Sequence, residues 1–371
     1  MSNLERLREV LREQEVNVAL LSHFGRVAWV SGYAAFIEKG ADPFAGGPPM
    51  AVLSADDSAL VAASGVPANR LQRMLTYAGY EYQQPIDPSA NWRQAILEAL
   101  EQMGASAAAI GFDADSTPAY LLDSARAQFP RAQFRDIGPA VDSLRVSKTV
   151  AELAYLRAAC ALCDVGQQTA RTVAKPGATE IGVYSAVHAA LEEAAKARVP
   201  LGADVVSGER TLDMGGDATG RALRVGDLLM ADIHPRHPNG YWGDSCATFV
   251  VGGPPSPEQH QAQQVLWEAL QRGRDLLKPG IKASQVDAIV RGSLNAHGYD
   301  YPHHSGHGLG TTHFERPFIM PWNNELLAED MVVALEPGIY QAGIGGIRLE
   351  WAFRVTPTGG EPLTRFSLSI E

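Results

Sequence analysis

Apolar and polar positions follow two different rhythms along the chain. Over residues 1–145, short apolar runs of strand length interleave with stretches of helical spacing. The spacing predicts a helix over Leu4–Gln14, a strand over Asn17–Leu21 and another over Arg26–Val30. Met50–Leu53 and Ala59–Ala62 flank the turn-like Ser54-Ala55-Asp56-Asp57, which reads as a hairpin. Helices over about 67–77, 91–103 and 117–128 alternate with strands near 107–112 and 132–136, and such alternation indicates an α/β domain. The breaker-rich Ala41–Pro49 reads as a surface loop; reach toward a cleft or a neighbouring subunit is the alternative.

From Ser147 the rhythm changes. A long helix is expected over 149–173, and then the chain echoes itself. KPGATEIGVYSAVHAAL (175–191) and KPGIKASQVDAIVRGSL (278–294) align at a spacing of 103 residues. Val183, Val187 and Leu191 correspond to Val286, Val290 and Leu294, and steps of four place each trio on one helical face. Each copy follows a long helix, 149–173 or about 258–276, and is followed by strands: 223–233 and 241–251, then 331–335 and 347–355. The repeat predicts two similar halves facing each other across a cleft.

Composition narrows the partners. The chain has 371 residues, 46% hydrophobic and 20% charged, as expected of a soluble globular protein. With 42 acidic against 31 basic residues, the net charge of -11 argues against nucleic acid, whose binding rests on clustered Lys and Arg. No apolar run reaches the ~18–20 residues of a membrane helix, and MSNLERLREVLREQ carries no signal core. A cytoplasmic protein without a membrane partner is the expectation. Cys160 and Cys163 form a C-x-x-C inside an alanine-rich helical stretch with no second ligand pair nearby, so they read as packing residues.

The polar residues that interrupt the apolar strands carry the chemistry. Asp232 ends the run Leu228–Ala231, and Asp244 opens the run toward Val251. A turn at Pro238-Asn239-Gly240 would set the two carboxylates side by side. HHSGHGLGTTH holds His303, His304, His307 and His313 among small residues, which let backbone approach a bound group. Glu336 and Glu350 each end an apolar run. Buried carboxylates need a cation or a full set of donors. Two Asp, one His and two Glu suit two divalent ions bridged by carboxylates, the equipment for hydrolysis.

At these residues the chain resembles the pita-bread metallopeptidases of the creatinase-like branch, which contains Xaa-Pro dipeptidase (prolidase) and aminopeptidase P. The likeness spans nearly the whole chain, and GHGLG, ALEPGIY and GIRLEWAFRVTPTGGEPLT carry it. It implies an α/β N-terminal creatinase-like domain over 1–145. An α+β pita-bread catalytic domain with pseudo-twofold duplication is implied over 146–371. Asp232, Asp244, His307, Glu336 and Glu350 become the ligands of two divalent ions, Mn or Co first, with Zn or Fe also accepted. Glu336 becomes the proton shuttle, Tyr340 the tyrosine linked to proton transfer, and Arg348 the brace beside the last ligand. His303 takes the place near the leaving amine, with His304 as the choice if the loop shifts by one. The implied substrate is an Xaa-Pro dipeptide or a short peptide with proline second, and the implied assembly a homodimer.

The chain departs from the pattern in three places. Gly215 stands where peptidases of the family carry a histidine, seventeen residues before the first aspartate. Phe314 stands seven residues after His307, again at a histidine position, with His313 one place earlier. The two aspartates are twelve apart rather than eleven. His234 shares a strand face with Asp232 and is a candidate for the lost imidazole; a surface histidine before Pro235 is the alternative. These changes open a second reading, hydrolysis of a non-proline peptide or a small non-peptide amide. A third, a non-catalytic peptide-binding relative, is disfavoured because all five ligands are retained.

Overall fold

Ser2 opens the first helix, α1 (Asn3–Glu13), with a capping box. Its hydroxyl accepts the Glu5 N–H at 3.3 Å, and the Glu5 carboxylate accepts the Ser2 N–H at 2.6 Å. The computed structural model describes residues 1–35, 46–63, 70–79 and 86–371. The chain separates into two units, Met1–Arg145 and Val146–Glu371.

The first unit is built on a mixed sheet. After α1 come β1 (Val18–Leu21), α2 (Phe24–Ser31), β2 (Met50–Ser54), β3 (Ser58–Ala63) and β4 (Arg73–Tyr77). Then follow α3 (Pro88–Gln102), β5 (Ala109–Phe112), α4 (Ala119–Gln128), β6 (Gln133–Asp136) and α5 (Gly138–Val146). Among the described residues the strand order is β4-β3-β2-β1-β5-β6, with β1, β2 and β3 antiparallel and the outer pairs parallel. The central strands β1, β2 and β3 are buried on both faces, to which alternate residues point in turn. Val18 and Leu20 pack with Trp92 and Ile96 of α3, whereas Ala19 and Leu21 pack with Leu7 of α1 and Trp29 of α2.

Two expected elements change type. Arg26–Val30 is not a strand but the middle of α2, whose residues Gly25–Ser31 are all buried. A short run without a polar face has no periodicity to separate helix from strand. Gly32, at φ 73°, ends that helix and donates its N–H to the Ala28 carbonyl. The helix expected over 67–77 is instead the strand β4 over Arg73–Tyr77, paired parallel with β3. Residues 67–69 of that span, and residues 41–45 of the loop expected over Ala41–Pro49, lie outside the described residues.

The second unit realises the repeat. The helices α6 (Val150–Val173) and α7 (Glu180–Ala195) precede β7 (Leu201–Ser207), β8 (Leu228–Pro235) and β9 (Cys246–Val250), an antiparallel sheet in that order. The helices α8 (Pro257–Asp275) and α9 (Ala283–Asn295) precede β10 (Gly306–Gly308), β11 (Glu315–Ile319) and β12 (Val332–Leu335). The hairpin β13 (Gly338–Gln341) and β14 (Gly345–Arg348) follows, then β15 (Trp351–Thr356) and β16 (Gly359–Pro362). The second sheet runs β11-β10-β12-β15-β16. The two Lys-Pro-Gly turns are equivalent in detail. Gly177 (φ 91°) donates to the Leu223 carbonyl and Gly280 (φ 84°) to that of Leu327, each at 2.8 Å. All six aligned Val and Leu residues are buried.

One expected strand is broken. The span 347–355 is β14 to Arg348 and β15 from Trp351, and Glu350 stands at the break with its N–H donated to the Cys246 carbonyl at 2.9 Å. The first pair of strands is also shorter than expected, because Gly226 (φ 86°) and the Asp227 side chain, which accepts the Arg224 N–H, form a turn before Leu228. Cys160 and Cys163 are free thiols buried in α6. Among the described residues no helix is long and apolar enough to cross a membrane.

Candidate metal centre

The inner strands of the second unit deliver one carboxylate or imidazole after another to a common place. Asp232 lies on β8, opposite Asp204 of β7 and Cys246 of β9. From there the chain turns through Gly240 (φ 94°) and passes so close to α6 at Gly243 that a Cβ there would stand 2.6 Å from the Ala159 carbonyl oxygen. Asp244 follows, only 2% exposed. Gln167 of α6 fixes this geometry. Its buried amide donates to the Ala231 carbonyl at 2.9 Å and to the Ser245 carbonyl at 3.1 Å, tying together the backbone beside both aspartates.

His307 is the middle residue of β10, and the glycines around it are there for closeness. A Cβ on Gly306 would stand 2.0 Å from the Ala334 carbonyl oxygen of β12, and one on Gly308 would stand 2.2 Å from that of Arg316 in β11. The His307 Nδ1–H donates to the Gly308 carbonyl at 3.0 Å, so Nε2 faces the carboxylates. Nε2 lies 3.2 Å from Asp244 Oδ2 and 3.6 Å from Glu336 Oε1. Burial disfavours the imidazolium, yet the hydrogen bond to Asp244 and the charges of Asp244 and Glu336 carry His307 up to about 9.

Four carboxylates share this interior. Burial raises all of them, and neighbours decide the outcome. His313 and His307 bring Asp244 well below the usual range, and Arg348 brings Asp232 down. His304 and His307 lower Glu336. Glu350 has burial and then Asp244, Glu336 and Asp232 against it, and its carboxyl is pushed well up. Buried Asp232 Oδ1, Glu336 Oε1 and Glu350 Oε2 have no hydrogen-bond partner, nor do His304 Nε2 and His234 Nδ1. His304 Nε2 and Glu336 Oε1 lie 2.7 Å apart without bonding alignment. Atoms that converge without bonding one another fit cations placed among them, and this donor set suits divalent ions.

A second string of contacts leads outward from Asp232. Arg348 pairs with Asp232 and donates through Nη1 to the Tyr340 hydroxyl oxygen at 3.2 Å. The Tyr340 hydroxyl meets His303 Nε2 at 2.9 Å. His303 Nδ1 lies 2.7 Å from the His304 carbonyl and so carries the ring proton, which leaves Nε2 to accept from the tyrosine. Burial keeps that imidazole neutral, down to about 4.

The structure therefore brings the sequence-predicted residues together. Donor atoms of Asp244, His307 and Glu350 lie within 4.8 Å of one another, as do those of His304, His307 and Glu336, and those of His234, Asp244 and His313. Asp232 belongs to none of these three groups and is engaged by Arg348. Phe314 is 51% exposed, with its ring 4.3 Å from that of His307. Three participants escaped sequence reasoning. Gln167 had a signal, a polar residue in step with the apolar face of α6 that includes Cys160, Cys163 and Ala170. Thr248, which accepts the Arg348 N–H at 3.0 Å, and Asp204 had none. Asp204 also explains Gly215: a Cβ at 215 would stand 2.3 Å from Asp204 Oδ2.

Residues 154–357 match the model of metallopeptidase family M24, and residues 3–147 match that of the creatinase/prolidase N-terminal domain. The chain belongs to metallopeptidase family M24. Among its M24 relatives, the Xaa-Pro dipeptidase of Pyrococcus furiosus is 31% identical over 235 residues, covering 63% of this chain and 67% of that protein. The solved Xaa-Pro dipeptidase from Bacillus anthracis superposes with a TM-score of 0.83 at 23% identity, covering 99% and 98% of the two chains. The X-Pro aminopeptidase from Thermotoga maritima gives 0.83 at 21% identity, covering 100% and 99%. A dipeptidase and an aminopeptidase thus share this fold equally well.

Proposed function

We propose that this M24 chain is a metallo-exopeptidase that hydrolyses Xaa-Pro dipeptides or short peptides with proline in second position. Residues 146–371 are its catalytic domain and 1–145 its creatinase-like N-terminal domain. The observation that carries the reading is the buried set Asp232, Asp244, His307, Glu336 and Glu350, in which three carboxylate oxygens have no hydrogen bond. The Pyrococcus furiosus Xaa-Pro dipeptidase supports the substrate class.

The five residues would hold two divalent ions, with Mn or Co the first candidates. When bound, such ions supply Lewis acidity at the scissile carbonyl and a water made acidic near neutral pH. The rest falls to side chains. Glu336, held as a carboxylate by His304 and His307, takes the proton of the attacking water and delivers it to the imide nitrogen. Tyr340 donates its hydroxyl proton to neutral His303 Nε2, so each side chain fixes the orientation of the other. Arg348 fixes Asp232 and the Tyr340 oxygen with one guanidinium. Exposed Phe314 offers an apolar wall for a pyrrolidine ring. A cytoplasmic homodimer completes the reading.

A peptide-length series, dipeptide to pentapeptide with proline second, assayed after loading with Mn²⁺ or Co²⁺, tests it. Turnover of at least one member is expected, and no turnover of any sinks the reading. Gly215 and Asp204 favour a second reading, in which the same centre cleaves a non-proline peptide or small non-peptide amide. A panel of such amides run beside the peptides separates the two.

A further inference from the structure

Asp244 is approached by more imidazoles than a five-ligand centre uses. His307 Nε2 stands 3.2 Å from Asp244 Oδ2, and His313 Nε2 is hydrogen-bonded to the same oxygen at 2.8 Å, a contact that an ion held between them would replace. On β8, His234 offers a donor atom within 4.8 Å of those of both Asp244 and His313. The His234 ring is seated with care. Gly202, its partner on β7, leaves the space, since a Cβ there would stand 2.1 Å from His234 Nε2. The other face of the pocket is His313, stacked on His234 with ring centroids 4.2 Å apart and planes 13° apart. With Nε2 against β7, Nδ1 turns toward the carboxylates. There it is buried, has no hydrogen-bond partner, and stands 3.5 Å from the equally unpartnered Asp232 Oδ1. A donor-capable nitrogen and a carboxylate oxygen at that distance, neither bonded, are arranged as two ligands of one ion are arranged.

We propose that His234, Asp244 and His313 form an imidazole-rich ligand triad that holds one divalent ion of the centre, beside the triad Asp244, His307 and Glu350. This rests on the reading that the chain binds divalent ions at all. Asp244 is the shared carboxylate, as the bridge of a two-ion site must be. Three imidazoles in place of one make the donor set richer in nitrogen, which suits Co²⁺ and Zn²⁺.

The test uses the full chain stripped by a chelator and reconstituted with Co²⁺. Bound cobalt per chain is read by elemental analysis, affinity by competition with a chromophoric chelator, and ligand type by the visible absorption of Co²⁺. Wild type is expected to hold two ions. His234→Ala/His313→Ala is expected to keep one, or to bind its second ion at least ~100-fold more weakly, more than loss of an outer-shell partner costs, with a changed cobalt spectrum. His234→Gln/His313→Gln, which preserves bulk, is expected to behave alike, and melting of the stripped proteins verifies that both are folded. Two ions bound by the variants within tenfold of wild-type affinity and with the wild-type spectrum overturn the triad and leave the proposed function standing. A wild-type chain that takes up no cobalt overturns both.

Discussion

Each unit gathers a knot of carboxylates, and the two knots are balanced in different ways. In the first unit, Arg26 reaches three aspartates, with contacts of 3.3 Å to Asp113, 2.7 Å to Asp115 and 2.7 Å to Asp142. Arg145 adds a contact of 2.9 Å to Asp142, and the N–H groups of Ser22 and His23 donate to Asp113. Cations and most donors are supplied from within; Asp113 Oδ1 has no hydrogen bond and faces the Arg26 guanidinium at 3.3 Å. In the second unit Asp232, Asp244, Glu336 and Glu350 share one guanidinium, Arg348, and imidazoles that leave three carboxylate oxygens unbonded. Uncompensated buried charge is costly, so a fold keeps it only where something from outside completes it. The first knot is architecture. The second is the proposed metal site.

The difference is open to attack from both sides. Glu336→Gln keeps the shape of the second knot and removes the proposed proton shuttle. It is expected to lower kcat by roughly 10²–10⁴-fold, the range for loss of a general base, in metal-loaded protein with an unchanged fold by circular dichroism. Activity within tenfold of wild type would remove Glu336 from its role. Arg26→Met attacks the first knot and takes the guanidinium away from three aspartates, one of them fully buried. A broken buried pair costs about 3–5 kcal/mol, so denaturant unfolding is expected to show the loss in the first unit. Stability within 1 kcal/mol of wild type would mean that the knot does not hold the unit together.

Asp113 is the least compensated member of the first knot and gives it a pH signature. Burial, opposed by Arg26 and the two N–H groups, raises its carboxyl from 3.8 to about 6. A folded-state value above the unfolded one means the folded chain keeps the proton longer. The associated stability is complete below about pH 4 and is lost as pH rises through about 6. Across that window wild type is expected to lose up to about 3 kcal/mol relative to Asp113→Asn, read as the difference between their melting temperatures. A difference that stays flat or grows with pH contradicts the assignment.

How far these features were legible in the sequence depended on the kind of signal each one left. Long helices with a one-sided apolar face, such as α6 and α8, and the repeated Lys-Pro-Gly turns were plain, because local pattern and tertiary role coincide there. The four carboxylates stood out because each bounds an apolar run, His307 stood out in its glycine-rich stretch, and the resemblance to the creatinase-like family gave the five a common role. By contrast, α2 is buried all round and β4 is short, so neither shows a period. The break of 347–355 around Glu350 escaped because it answers to the Cys246 carbonyl, about a hundred residues earlier in the chain. Gln167 and Asp204 act by facing residues on other elements, and only the assembled fold reveals what they face.

Asp204 supplies the smallest and most local prediction. It lies opposite Asp232, adds a further carboxylate to the edge of the second knot, and fills the space a side chain at 215 would need. Gly215→Ala is therefore expected to cost about 1 kcal/mol, the low end for overpacking, since a carboxylate end can swing aside. In Asp204→Ala the obstruction is gone, and the same substitution is expected to be near neutral. The double-mutant cycle should then show coupling of about 0.5–1 kcal/mol in thermal melts of the metal-stripped protein. Gly215→His, which restores the imidazole of the peptidase pattern, should likewise be accommodated better with Asp204→Ala than alone. Additive costs would mean that Gly215 answers to something other than Asp204. The missing histidine would then be a separate loss, and not one side of an exchange between strand β7 and the loop after it.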